Sequence, residues 1–139
     1  MLNLKKQISN NEQSLEKSVF FEGVSLHSGK HCKVNIRPSE VGTGIVFIRK
    51  DLPNSSPIKA LWKNVASTKL CTTIANKEGA SISTIEHLMS ALSGLHIDNA
   101  IIEVYGPEIP IMDGSAEPFV QLIKKAGIIS QKKERKYIK

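Results

Sequence analysis

The hydrophobic period switches from two to helical along this chain, and that switch restricts the fold more than any other feature. In the first half the period is two. Cys32, Val34 and Ile36 alternate with Lys33, Asn35 and Arg37, the pattern of a half-buried strand, and Pro38 stops it. In the second half the period becomes helical. Ile85, Leu88, Met89 and Leu92 fall at i, i+3, i+4 and i+7, which places them on one stripe of a helix. A chain of this kind sets several strands before its first helix.

The remaining punctuation fills in the order of elements. Ser18 to Glu22, the run Ile45-Val46-Phe47-Ile48 after Gly44, and the short stretches Ile58 to Leu61 and Leu70 to Ala75 read as strands. Asn76-Lys77-Glu78-Gly79 reads as a hairpin turn. Ser83 is a candidate N-cap of the first helix, with Glu86 completing a capping box and Gly94 as the stop. Asn99 to Tyr105 reads as a buried strand. Ser115 is placed to cap a second helix with Pro118 in its first turn. That helix buries Phe119, Leu122, Ile123 and Ala126 and ends at Gly127. The expectation is an α+β two-layer sandwich, a mostly antiparallel sheet covered on one face by two helices.

Length and charge set the boundaries. The 139 residues suit one domain. Residues 1–13 are expected to be a frayed extension, 14–130 the domain, and 131–139 a basic linker. The formal net charge is +6. From Gln131 to Lys139 five basic residues stand against one acid, a net +4, while the other 130 residues hold 14 basic and 12 acidic side chains. The body is nearly balanced. Aromatic residues make up only 5%, which argues against a basic, aromatic-studded nucleic-acid face. No apolar run approaches the ~20 residues of a membrane span, and the start MLNLKKQISNNEQ lacks a secretory apolar core. Cys32 and Cys71 are too few for a disulfide scaffold. A cytoplasmic location is expected.

Candidate chemistry is concentrated at Glu86-His87. A carboxylate beside an imidazole is the pairing that hydrolytic metal sites use: the metal polarises a water and the carboxylate takes its proton. The pattern by itself is better served by Glu86 as a capping-box acid and His87 as a solvated helix residue. There is no HExxH, and a catalytic zinc takes three protein ligands. His27 lies in the glycine-bounded turn Gly23 to Gly29, where functional loops and plain turns look alike. Cys71 reads as a small buried hydrophobe on a strand. His31 and His96 read as structural or exposed, and Asp113-Gly114-Ser115 as a turn with a cap. No GxGxxG, Gly-Lys-Ser/Thr or GxSxG string occurs, so dinucleotide-binding, phosphate-loop and hydrolase-elbow readings have no support.

The strings GVSLHSGK (23–30), LCT (70–72), STIEHL (83–88), GLHIDN (94–99) and PEIPIMDGSA (107–116) together resemble one family, in order, from about Leu15 to the C-terminus. It is the UDP-3-O-acyl-N-acetylglucosamine deacetylase (LpxC) family, zinc amidases of bacterial lipid A biosynthesis. The resemblance implies a two-domain enzyme with its site between the domains, of which this chain is similar to the first. It implies that His87 is a zinc ligand and Glu86 the general base for attack of water on the N-acetyl carbonyl. It implies that Leu70, Cys71 and His27 lie at the UDP-sugar lipid substrate, and that Asp113 is structural first. The other zinc ligands and the passage for the acyl chain belong to the second domain, in cis or in trans. The chain alone is therefore expected to be inactive, with weak self-association through its exposed cleft surface. The alternative reading is a non-catalytic binding module with a basic tail.

Overall fold

The computed structural model describes residues 10–138. In chain order the strands are β1 (Asn11–Leu15), β2 (Val19–Val24), β3 (His31–Pro38), β4 (Ile45–Arg49) and β5 (Ile58–Lys59). One turn of 3-10 helix (Trp62–Asn64) leads to β6 (Val65–Ser67), β7 (Thr73–Ala75) and β8 (Ser81–Ile82). Helix α1 (Glu86–Gly94), β9 (Ala100–Tyr105), helix α2 (Glu117–Ala126) and β10 (Ile128–Glu134) complete the chain.

The main sheet has the order β2-β3-β9-β4-β5. Every pairing in it is antiparallel except β4 with β9. The register sets Val34 opposite Val104 and Ile36 opposite Ile102, and all four are fully buried. The period-two pattern of 32–37 therefore faces the core as its spacing predicts. On the opposite face Glu103 accepts a hydrogen bond from Asn35 and pairs with Arg37 and Lys50. One face is dry and the other polar, which is how an antiparallel sheet sits at a protein surface.

Both helices close the dry face. Leu88, Ala91 and Leu92 of α1 and Phe119, Ile123 and Ala126 of α2 join β3, β4 and β9 in one core. The Phe119 ring meets Phe21 of β2 edge to face, with centroids 5.3 Å apart. Full burial of a side chain of that size contributes about 3 kcal/mol. The architecture is the expected α+β sandwich.

Several local expectations are corrected. Ser83 does not cap α1. Its backbone is already used in a bridge to Glu108, with Ser83 N–H donating to Pro107 O and Ile109 N–H donating to Ser83 O. The helix starts three residues later, and Glu86 is not a capping-box acid. Gly94 does not stop α1 either. Ile97 N–H reaches Leu92 O and His96 N–H reaches Ser93 O, a Schellman closure in which His96 takes the left-handed position at φ 57°. Leu70 and Cys71 lie in a bend before β7, not on the strand.

The ends also differ from expectation. Of the segment expected to fray, residues 1–9 lie outside the described residues, but Asn11 to Gln13 belong to β1, which pairs with β10. Gln131 to Glu134, expected as linker, continue β10. The attachment is made by polar side chains. Asn99, buried, donates to Glu12 and to Gln131, and Arg135 binds both oxygens of Asp98 at 3.0 Å. The Asn99 bond and the Gly42 N–H hold the Glu12 carboxyl below its ordinary range.

Candidate active site

Three loops meet around the N-terminal end of α1. The first, residues 70–73, is fixed to the helix from both sides. Ile85 N–H donates to Thr72 O, and Thr72 N–H donates to the Glu86 carboxylate at 3.1 and 3.4 Å. The hydroxyls of Thr73 and Ser83 lie 2.9 Å apart. The segment is thereby held to Glu86 at Thr72, next in sequence to Cys71 and two residues from Leu70. Leu70 is 85% exposed at φ 65°, so an apolar side chain projects outward from a backbone conformation that disfavours it.

The second loop, 107–112, is joined to the segment before α1 by the Ser83–Glu108 bridge. The third, 25–30, is joined to the second. Ser25 hydroxyl donates to Glu108 O, His27 N–H donates to the Glu108 carboxylate at 2.8 Å, and Ile111 N–H donates to Val24 O. Packing is close here: a Cβ on Gly23 would stand 3.2 Å from the Pro110 side chain and 3.4 Å from the Met112 sulfur. His27 is thus tied to the α1 end through Glu108 and Ser83, with its side chain exposed.

Backbone strain gathers at the same place. Leu70, Thr84 and Met112, one in or next to each junction, all have φ between 54° and 65°. Thr84 is the severest case. It is β-branched, 3% exposed, and its hydroxyl has no hydrogen-bond partner among the described residues. Strain of this kind costs about 1–3 kcal/mol and collects at working sites. It sits two residues before Glu86 and turns the chain from the Glu108 bridge into the helix.

Glu86 and His87 are both half-buried in the first turn of α1. The positive end of the helix dipole favours a carboxylate there. The His87 imidazole has no hydrogen-bond partner among the described residues, which leaves a nitrogen available to a metal. A complete zinc site is another matter. No group of three or more His, Cys, Asp or Glu side chains capable of holding an ion occurs among the described residues. One imidazole and one carboxylate fall short of the three protein ligands of a catalytic zinc. Asp113 is engaged locally: its carboxylate accepts from Ser115 N–H and hydroxyl at 2.9 and 2.7 Å, which lowers its pKa and shapes the turn into α2. His31 and His96 are surface residues.

Sequence reasoning missed Glu108 and Thr84. A signal existed for the first: one acid in the otherwise uncharged run Pro107 to Met112 is a charge with a reason to be buried. Nothing in the string marks Thr84 as left-handed.

Residues 12–139 match the family described as UDP-3-O-acyl N-acetylglycosamine deacetylase (LpxC). Curated relatives carry the name UDP-3-O-acyl-N-acetylglucosamine deacetylase. One from Shewanella sp. (strain W3-18-1) is 52% identical over 128 residues, covering 92% of this chain and 42% of the relative. One from Geotalea uraniireducens (strain Rf4) is 52% identical over 127 residues, covering 91% and 41%. The chain spans about two fifths of the length of the curated relatives it matches.

Proposed function

The chain belongs to the UDP-3-O-acyl N-acetylglycosamine deacetylase family, and from that premise we propose that it supplies the base and one metal ligand for removal of acetate from UDP-3-O-acyl-N-acetylglucosamine. The observation that carries this reading is the bond from Thr72 N–H to Glu86. It holds the 70–73 segment against a carboxylate whose neighbour offers an unengaged imidazole.

Glu86 is the general base. Its carboxylate takes a proton from the attacking water as the water oxygen bonds to the acetyl carbon. Cleavage of the amide C–N bond then releases acetate, and the leaving nitrogen takes up a proton that balances the one Glu86 removed from the water. Leu70 and Cys71 line the substrate beside Glu86, and His27 contacts it from the facing turn. His87 would contribute one nitrogen to a zinc ion, with the other ligands supplied from outside the described residues. Bound there, zinc would supply Lewis-acid chemistry. A second, ligand-bearing domain, in cis or in trans, belongs to the same proposal.

Acetate release tests the reading. The purified chain is expected to show none above background. The same chain mixed with the part of the Shewanella relative that it does not match is expected to release acetate in a metal-dependent way. Robust zinc-dependent turnover by the chain alone would overturn the division of ligands.

A further inference from the structure

Glu108 is a buried carboxylate, 1% exposed, that the proposed chemistry does not use. Among the described residues it has no ion-pair partner. Burying an unpaired charge is unfavourable unless donors surround it. Here the donors are backbone amides of the opposite turn. His27 N–H reaches both carboxylate oxygens, at 2.8 and 3.1 Å, and Ser28 N–H approaches one at 3.4 Å. The Glu108 carbonyl meanwhile accepts the hydroxyl of Ser25, itself 1% exposed. One residue therefore grips both the base and the tip of the 25–30 turn.

The turn closes its own neck, with Ser25 N–H donating to Lys30 O and Gly29 N–H to Ser25 O. Those bonds do not fix the direction of His27, because residues 26–30 are all exposed and no packing holds them. Two successive N–H groups directed at one carboxylate do fix it, since they orient the peptide planes on both sides of the His27 Cα. Glu108 is anchored in turn to Ser83 and the entry to α1. The turn and the helix that bears Glu86 thus share one support.

We propose that Glu108 is a positioning residue, which sets the direction of the His27 side chain relative to Glu86 through the amides of His27 and Ser28. The proposal rests on the reading that His27 contacts the substrate. A neutral residue of the same shape would fill the space but would present an amide N–H₂ where an acceptor is needed. Displacement of a positioned group by about 1 Å lowers rates by up to about 100-fold.

The test uses Glu108→Gln, His27→Ala and the double variant. In the chain by itself, NMR is expected to show the His27 and Ser28 amides and the His27 ring resonances shifted by Glu108→Gln, with the core resonances unmoved. Unchanged His27 ring resonances would overturn the proposal without reference to catalysis. In the acetate-releasing mixture, Glu108→Gln is expected to lower kcat/KM at least about tenfold in the wild-type background, and to lower it no further once His27 is alanine. Additive losses would overturn the proposal and leave Glu108 a fold residue only. If His27→Ala alone is silent, the substrate role of His27 fails, while the NMR result still decides whether Glu108 directs the side chain. Should Glu108→Gln not fold, Glu108→Asp keeps the charge, shortens the reach and is read against the same expectations.

Discussion

The sheet-and-helix core and the loop cluster at the start of α1 are built from the same chain by opposite rules. In the core the pairs Val34–Val104 and Ile36–Ile102 are in regular register and fully buried, and phenylalanines meet at an ordinary edge-to-face separation. In the loop cluster Leu70, Thr84 and Met112 occupy left-handed backbone, an apolar side chain stands in solvent, and a buried hydroxyl lacks a partner among the described residues. The difference teaches where stability is made and where it is used. Close packing under the sheet offsets the strain that keeps Glu86, the 70–73 segment and the His27 turn in place.

Substitutions on each side should separate the two regions, and the largest effect is expected at the site. In the acetate-releasing mixture, Glu86→Ala should lower turnover about 10²–10⁴-fold, the range of a general base, while bound metal stays near the wild-type level. His87→Ala should lower metal occupancy as well. Intact turnover in Glu86→Ala would remove the base from the scheme. In the core, Phe119→Ala should destabilise by about 3–5 kcal/mol in chemical denaturation, and a loss below about 1 kcal/mol would show that the weight of the fold lies elsewhere.

Smaller effects sharpen the contrast. Thr84→Val replaces the unpartnered hydroxyl with a methyl and should stabilise by about 1 kcal/mol. Destabilisation of that size would mean the hydroxyl has a partner after all. The smallest effect concerns Asp51, whose carboxyl is held below its ordinary 3.8 by the Arg49 guanidinium, bonded at 2.7 and 2.8 Å. A depressed carboxylate pKa adds stability above the unfolded value and loses it as pH falls through the folded one. Wild type should therefore lose stability below about pH 4 more steeply than Asp51→Asn. With the aspartate side chain 32% exposed, the difference should be about 1 kcal/mol or less. Identical acid limbs would dismiss the pair as a contributor.

What could be read in the sequence follows the same division. Cys32, Val34 and Ile36 and the stripe Leu88, Leu92 announce themselves because burial repeats with the period of the backbone. The α1 boundaries do not. The Ser83 signal is real as a local preference, but a bridge to Glu108, 25 positions away, takes its backbone first, and the left-handed role goes to His96 instead of Gly94. Asn11 to Gln13 and Gln131 to Glu134 look like tails because their side chains are polar. They form strands because Asn99 and Asp98 provide polar partners that no periodicity reveals. At the site, adjacent Glu86 and His87 were visible as a pair, whereas Glu108 needed three dimensions to be seen holding the His27 turn.

The pairing of β1 with β10 has a consequence for the time course of folding. Leu15 stands opposite Ile128 and Asn11 opposite Glu134, so this ladder joins stretches more than a hundred positions apart. Closing so long a loop carries a large entropic penalty before any contact repays it, and contacts of such separation slow folding. During synthesis β1 leaves the ribosome early and waits for its neighbour until residues up to Glu134 have been translated. Until then its edge is open to other chains. This region is therefore most prone to mispair in the interval before β10 emerges.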